Sequence, residues 1–435
     1  MTKNKKNLIL IVALACFCQI VGAQTNSPYS RYGYGVLKDQ ATGPSKGMGG
    51  IGYGLKNSLS ANPINPASYS AVDTLTMLVD VGINYNFGKM TDNSGSRTDH
   101  GGGLDYVTVL FPVTRTVGIS GGLLPFSSVG YDYGADDTVE DVEFRKSFSG
   151  SGGLSLAYLG LGYLTPFKGL SVGVNAAYIF GTIENQRSIP SIDISGSNIS
   201  SDYSKFKSKG LKLDFGFQYQ KNISPIDVLT VGAVYSPKMN LHSNYQNRHY
   251  DLSSTGTLIK GDTTEIGGLM GAIPHTLGAG FTVKRDKRIT YGADVTFQKW
   301  TNMKYSTTMG DEMSVSDRFN NRIKVNVGGE YIRNLYDRNL LGRMKWRGGL
   351  NFSNSYMNIK DASGKVSGYN EYGAAVGFGI PFYDPQSYGK RTSYVNINFE
   401  YKKLKPKASG LINEDYFGVS FNMNINDFWF MKRKI

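Results

Sequence analysis

The sequence predicts an all-β protein: a transmembrane antiparallel β-barrel of about fourteen strands with an N-terminal hatch in its lumen. Three observations carry this. Long stretches alternate apolar and polar residues with a period of two, as a strand with one apolar face does. The connectors between them alternate between short turns and long polar segments. A segment rich in Gly, Asn, Ser and Pro precedes the first strand, and nothing else in the chain offers a core for the strands to enclose.

The N-terminus comes first. Lys3, Lys5 and Lys6 are followed by an apolar run over residues 8–18 and by the small-residue end Val21-Gly22-Ala23. This pattern predicts a secretory signal peptide over residues 1–23, cut before Gln24, rather than a buried helix. Leu14-Ala15-Cys16 has the look of a lipoprotein site, but the apolar run continues past Cys16. Both cysteines, Cys16 and Cys18, fall in this segment, so the mature chain has no thiol for disulfides, thiol catalysis or Cys-ligated metal. The formal charge is +13, or +10 without the three signal lysines. In an exported chain such a balance points to anionic headgroups or anionic solutes rather than to nucleic acid.

Residues 24–74 form the predicted hatch. Tyr29, Tyr32, Tyr34 and Tyr53 argue against a disordered tail. Glycines at 47, 49, 50, 52 and 54 and the steps Asn62-Pro63 and Asn65-Pro66 exclude a regular helix or strand. A polar, turn-rich backbone needs protein partners at membrane depth, so the segment is expected inside the barrel.

Residues 75–430 form the predicted barrel. Met77, Val79, Val81, Ile83, Tyr85 and Phe87 alternate with Leu78, Asp80, Gly82, Asn84 and Asn86. The pattern returns at residues 211–220, 322–328, 395–402 and 417–426, where Phe417, Val419, Phe421 and Met423 are expected to face lipid and Asn422 and Asn424 the lumen. These runs exceed the ~5–6 residues of an ordinary strand and suit a tilted membrane strand of ~9–11 residues. Short connectors are read at 112–116, 165–169, 222–227 and 284–288, and long polar loops at 89–102, 187–205, 244–265 and 307–320. That alternation is the one outer-membrane barrels show between periplasmic turns and external loops. Tyr131, Tyr133, Tyr158, Tyr163, Tyr356, Tyr394 and Trp429 are expected in interfacial aromatic girdles, and residues 431–435 in a periplasmic tail.

Several motifs resemble those of the FadL family, the outer-membrane transporters of long-chain fatty acids and other hydrophobic compounds. Gly47-Met48-Gly49-Gly50 and Asn65-Pro66-Ala67 resemble its hatch signature. Gly121-Gly122-Leu123-Leu124-Pro125-Phe126 followed by Tyr131 looks like its third strand, and residues 231–237 like its Gly-x-x-Tyr-x-Ser strand. Pro274 to Gly278, then Asp294, Thr296 and Trp300, resemble a later segment, so the likeness spans residues 45–300 in family order. It implies a toluene-transporter-like barrel of a Bacteroidetes-type member, in a Gram-negative outer membrane. The implied work is passive uptake of a hydrophobic small molecule, long-chain fatty-acid-like or aromatic, with lateral release into lipid. No carboxylate-binding Arg or Lys carries over. Pro125 cannot donate to a ladder, so it should mark a bulge or a gap. Gly121, Gly122, Pro125 and Phe126 are therefore the candidates for a lateral opening.

Catalytic and metal signals are poor. His100, His242, His249 and His275 have no metal-site spacing, and Asp311-Glu312 reads as a loop tip. Gly160-Leu161-Gly162 and Gly278-Ala279-Gly280 sit in strands without the helix that a phosphate site needs. No cofactor, metal or nucleic-acid partner is expected; the partners are the hydrophobic ligand, outer-membrane lipids and lipopolysaccharide, with a monomer favoured. Two other readings stay open: an anchor barrel of FadL type serving protein secretion, and a barrel-embedded lipid hydrolase. Apolar inward faces favour transport. A polar, filled lumen favours the anchor, and a His within reach of Ser and an acid favours the enzyme.

Overall fold

The computed structural model of this chain describes residues 27–428, apart from 94, 140–141, 194–195, 254–256, 302, 304–314, 361–363, 384–391 and 409. The expected signal peptide with Cys16 and Cys18, the first hatch residues 24–26, Asp311-Glu312, Trp429 and the tail 431–435 lie outside the described residues.

Fourteen antiparallel strands follow one another round a closed wall. They are β1 (Thr76–Thr91), β2 (Ser96–Pro112), β3 (Val117–Val139), β4 (Val142–Leu164), β5 (Leu170–Asp193), β6 (Gly196–Asn222), β7 (Asp227–Ser236 with Met239–Leu252) and β8 (Leu258–Ile273 with Thr276–Arg285). The circuit continues through β9 (Ile289–Gln298), β10 (Arg322–Ile332), β11 (Lys345–Asn354), β12 (Tyr369–Tyr383), β13 (Thr392–Pro406) and β14 (Asn413–Phe428). β14 pairs back onto β1, from Asn413 opposite Thr91 to Phe428 opposite Thr76. Closure removes the sheet edges that lipid could not satisfy.

Two strands are broken at the same height. Pro237-Lys238 splits β7 and Pro274-His275 splits β8, with Ser236 opposite Thr276 below the break and Met239 opposite Ile273 above it. A proline has no N–H for the ladder, so a break there is the expected response.

The faces follow from the alternation. Phe87, Phe417, Phe421 and Met423 are exposed, whereas Asp80, Asn422 and Asn424 are buried in the lumen. The aromatic girdle differs from the expectation. Tyr131, Tyr158 and Tyr394 are buried inside because they stand on the inward parity of their strands, and Tyr356, just past the end of β11, is buried against the hatch. Three of their hydroxyls are bonded there, Tyr158 to Ser120, Tyr131 to Asn185 and Tyr356 to the Gly35 carbonyl. Tyr163 does face outward, as do Tyr85, Tyr178, Tyr219, Tyr291 and Tyr331.

The short turns close where the connectors are short; Val113 and Ile223, for example, donate to the Val117 and Asp227 carbonyls. Three of the long polar connectors, 89–102, 187–205 and 244–265, are mostly strand rather than loop among the described residues, whereas 307–314 lie outside them and Val315–Arg318 is a short helix. β5 and β6 run for 24 and 27 residues and pair from Leu170–Tyr219 to Asp193–Gly196. β3 and β4 run for 23 residues each. A membrane crossing needs only ~9–11 residues. Roughly half of each of these strands therefore continues beyond the lipid, as paired hairpins. Ser, Thr and Asn in these segments read as loop, yet their backbones keep the ladder going.

Candidate functional site: the plugged lumen and a gap in its wall

Residues 27–72 thread through the lumen against the inward strand faces. Ser27 N–H donates to the Gly130 carbonyl, Val36 and Leu37 pair with Ser128 and Ser127 of β3, and Lys38 N–H donates to the Phe126 carbonyl. Tyr29, Tyr34, Met48, Ile51, Tyr53 and Tyr69 are all buried, as a plug's apolar side chains should be.

Each hatch motif has a matching place on the wall. Gly49 and Gly50 adopt φ of +68° and +88°, which side-chain-bearing residues rarely take. They turn the chain after the short helix Gly43–Gly47 and drive Met48 toward β10 and β11. Asn65 caps the 3₁₀ helix Pro66–Ala71 by accepting from Ala67 N–H, and its amide donates to the Tyr53 and Phe217 carbonyls. Under that helix lies a row of four glycines, Gly118, Gly162, Gly173 and Gly216, directly opposite one another across β3–β6. A Cβ on Gly173 would stand 2.4 Å from the Pro66 carbonyl carbon, and one on Gly118 2.1 Å from the Tyr69 carbonyl oxygen. The strip is flat so that backbone can lie on backbone.

The later motif residues hold the hatch too. Asp294 on β9 accepts from the N–H groups of Gly52 (2.5 Å) and Tyr53 (2.9 Å). Thr296 bonds the Tyr53 hydroxyl, and Trp300 is fully buried between Tyr34, Phe319 and Tyr356.

Charges complete the attachment. Lys46 pairs with Asp105 of β2, and Asp39 with Lys324 of β10. Asp39 is about half exposed to the lumen; the desolvation that remains would raise it, but Lys324, Arg322 and Lys402 outweigh it and hold the carboxyl below its usual value. Lys46 is raised in turn, the pull of Asp105 and Glu400 exceeding the opposite effect of burial. Lys38 differs: burial, then repulsion from Lys402, lowers it to about 8. None of these wall partners carries a sequence signal beyond inward parity, and Lys38 carries none.

The wall is incomplete beside β3. β2 and β3 pair only from Pro112–Gly118 to Val107–Leu123. Beyond Leu123, the partners of β3 are β4 and the hatch, which pairs with Ser127 and Ser128 and bonds the Phe126 and Gly130 carbonyls. Pro125 is opposite Ser155, and the register then jumps, so Phe126 is an extra, bulged residue. Phe126 turns inward into the core, so it does not border the gap. Gly121 and Gly122 lie just before the gap, still paired with Val109 and Thr108, and a Cβ on Gly122 would strike the Val107 carbonyl at 2.1 Å. A side chain there would wedge β2 from β3 rather than fill the opening. The gap opens on a cavity of 370 Å³ lined by Leu104, Leu123, Leu124, Pro125 and Phe180, with Lys38 behind them.

The lumen has less room. Among the described residues, two of its cavities are 140 and 130 Å³; charged groups enter both, Asp39, Lys212, Asp214, Arg322 and Lys324 in one, beside Ile64, Phe126 and Ile273, and Lys46, Asp105, Glu371, Glu400 and Lys402 in the other. The histidines stand apart from both. His249 bonds Asp202 (2.8 Å) on the projecting hairpins, and His275 bonds the Tyr235 hydroxyl (3.0 Å) at the strand break. Among the described residues, no group of three or more His, Cys, Asp or Glu could hold a metal.

The sequence model of the BamG family matches residues 1–435. The chain belongs to the BamG family. No curated protein matches it in sequence. Solved structures share the fold of this BamG-family chain. The CymD monoaromatic hydrocarbon channel is similar at 14% identity and TM-score 0.58, over 91% of this chain and 100% of that one. The Pseudomonas putida toluene transporter TodX is similar at 13% and 0.59, over 91% and 100%. A Pseudomonas aeruginosa FadL homologue is similar at 14% and 0.56, over 90% and 99%. At such identities the likeness is one of fold: an outer-membrane-type barrel.

Proposed function

We propose that this chain is an interaction barrel of the outer membrane: a FadL-type scaffold, exported by its signal peptide, that anchors a protein partner serving secretion. The observation that carries this is the lumen. Small-molecule sites usually offer ~300–1,000 Å³ of mostly apolar space. Among the described residues, two luminal cavities are 140 and 130 Å³; in both, lysines and carboxylates stand beside apolar side chains, such as Ile64 and Phe126 in the larger one. The hatch occupies the lumen beside them and is bonded to the wall by Asp294, Lys324 and Asp105. The hairpins of β3–β6, at 23 to 27 residues per strand, add a surface of paired strands outside the lipid.

A second reading has its own support. The 370 Å³ cavity at the gap suits a hydrophobic solute entering or leaving through the wall at Leu123, Leu124 and Pro125, and the fold is shared with proteins called hydrocarbon channels and toluene transporters. In that reading Gly121 and Gly122 end the closed part of the wall.

One experiment separates the two. A photo-crosslinking residue at exposed hairpin positions such as Lys207 or Arg248 should capture a discrete protein partner in intact cells, and deleting the gene should leave toluene and oleate uptake unchanged. Uptake that falls on deletion, with no crosslinked partner, would replace the anchor by the transporter.

A further inference from the structure

The outer face of β6 changes character at one point. Its outward positions read, from the periplasmic end, Tyr219, Phe217, Phe215, Leu213 and Leu211, then Lys209, Lys207 and Lys205. Tyr219, Phe217, Phe215 and Leu211 are exposed to lipid. From Tyr219 to Lys209 is eleven residues of β6, about the length that spans the apolar band of an outer-membrane barrel. Lys209 therefore stands at the upper boundary of the hydrocarbon, on the side of the long hairpins.

The neighbouring strands agree on that height. On β5 the stacked rings of Tyr178 and Phe180 end the apolar run, and Phe180 is opposite Lys209. On β7 His242 is opposite Lys209, and Asn244 opposite Lys207. Lys207, Lys209, His242 and Asn244 are all exposed. Directly opposed residues in a ladder have Cβ atoms ~4.5–5.5 Å apart, so these groups share one small patch. It presents donors: two ammonium groups, an imidazole and a side-chain amide. The nearest carboxylate on β5 or β6, Glu184, is already paired with Lys205 at 2.5 Å, and Glu265 accepts from Gln246.

We propose that Lys207, Lys209 and His242 form a binding site for a phosphate of the phosphorylated glycolipid in the outer leaflet, with its acyl chains against Phe180, Leu211 and Phe215. The occupant follows from position. Two like charges two residues apart on one strand face repel unless an anion lies between them, and the anion present at the top of the apolar band is the lipid's own phosphate. Ammonium and imidazole donors give it charge-assisted hydrogen bonds. This inference rests on the barrel's membrane placement and on neither reading of its lumen.

The test uses the full mature chain in detergent, with lipid binding read by native mass spectrometry. The probes are bis-phosphorylated lipid A, the same lipid after phosphatase treatment, and inorganic phosphate. Wild type should bind lipid A at least about tenfold more tightly than the dephosphorylated lipid, and K207Q/K209Q should lose a similar factor, as expected for lost charge-assisted bonds. E184Q releases Lys205 to the patch and should tighten lipid A binding about two- to threefold. Equal binding of the two lipids overturns the site, as does unchanged binding by K207Q/K209Q. Displacement of lipid A by an equal concentration of inorganic phosphate would show a bare anion site and also overturn it. If K207Q/K209Q fails to fold, as shown by loss of its heat-modifiable mobility, E184Q and the lipid pair still decide.

Discussion

Lys38 is the residue whose surroundings differ most from what its type prefers. It borders all three of the cavities described in and beside the lumen, and desolvation with the nearby Lys402 brings it to about 8. An unfolded lysine titrates near ~10.4. Below pH 8 both states carry the proton, and the folded state bears the cost of a partly desolvated charge. Between 8 and ~10.4 the folded state releases its proton first, so stability rises with pH across that window. Lys38→Met removes the charge. Its denaturation midpoint should exceed wild type at pH 7, by at most about 3 kcal/mol less what solvent screening removes. The advantage should shrink as pH passes 8 and be gone above ~10.4. An advantage constant from pH 7 to 11 would mean that the methionine acts by packing alone. The sequence offered no hint of this: Lys38 sits in a polar run, Leu37-Lys38-Asp39-Gln40, that reads as solvated.

At the scale of elements, the hatch and its seat were legible to different degrees. Asn65-Pro66-Ala67 announces a capped turn, because Asn accepts the N–H that a helix start leaves open and Pro has none to lose. The seat is invisible in the chain. Gly118, Gly162, Gly173 and Gly216 are far apart in sequence and become a row only through the register of β3–β6. The strand count was readable from parity and short turns. The length of the hairpins was not, since polar residues on both faces of a strand outside lipid carry no period. The buried Tyr131, Tyr158, Tyr356 and Tyr394 were misplaced for a related reason: a tyrosine suits an interface or a hydrogen-bonded interior equally well. The glycine row makes a sharp prediction. Gly173→Val sets side-chain atoms against the Pro66 backbone, so the 3₁₀ helix must lift, at a cost of about 1–3 kcal/mol. Hydrogen exchange over residues 65–71 should quicken while the wall strands stay protected. Gly348→Ala, where a Cβ meets nothing within 4 Å, should exchange as wild type does. Equal protection of residues 65–71 in both variants would show that the hatch does not rest on this strip.

The whole molecule joins a closed wall to a bonded plug, and that combination determines what can cross it. A barrel of this size without a plug would leave space that side chains do not fill. Here the luminal cavities described are small, and the hatch beside them is held to the wall by the ion pairs Lys46 with Asp105 and Asp39 with Lys324 and by the Asp294 bonds to Gly52 and Tyr53. An ion would have to break these contacts to pass. In planar bilayers the purified protein should therefore show no steady ionic conductance. Three changes made together should alter this: Asp105→Leu, Asp294→Leu and Lys324→Met. They remove the wall's side of all three attachments and leave Lys46, Asp39 and two hatch N–H groups unpaired in the lumen, which costs more than the lost bonds alone. The plug should then open for part of the time, and discrete conductance steps should appear in the triple variant. Steps in wild type would mean that water already threads past the hatch, and the interaction-barrel proposal would lose the sealed lumen it stands on. A silent triple variant with an intact, heat-modifiable barrel would mean that packing of Tyr34, Tyr69, Trp300 and Tyr356, rather than charge, keeps the plug in place.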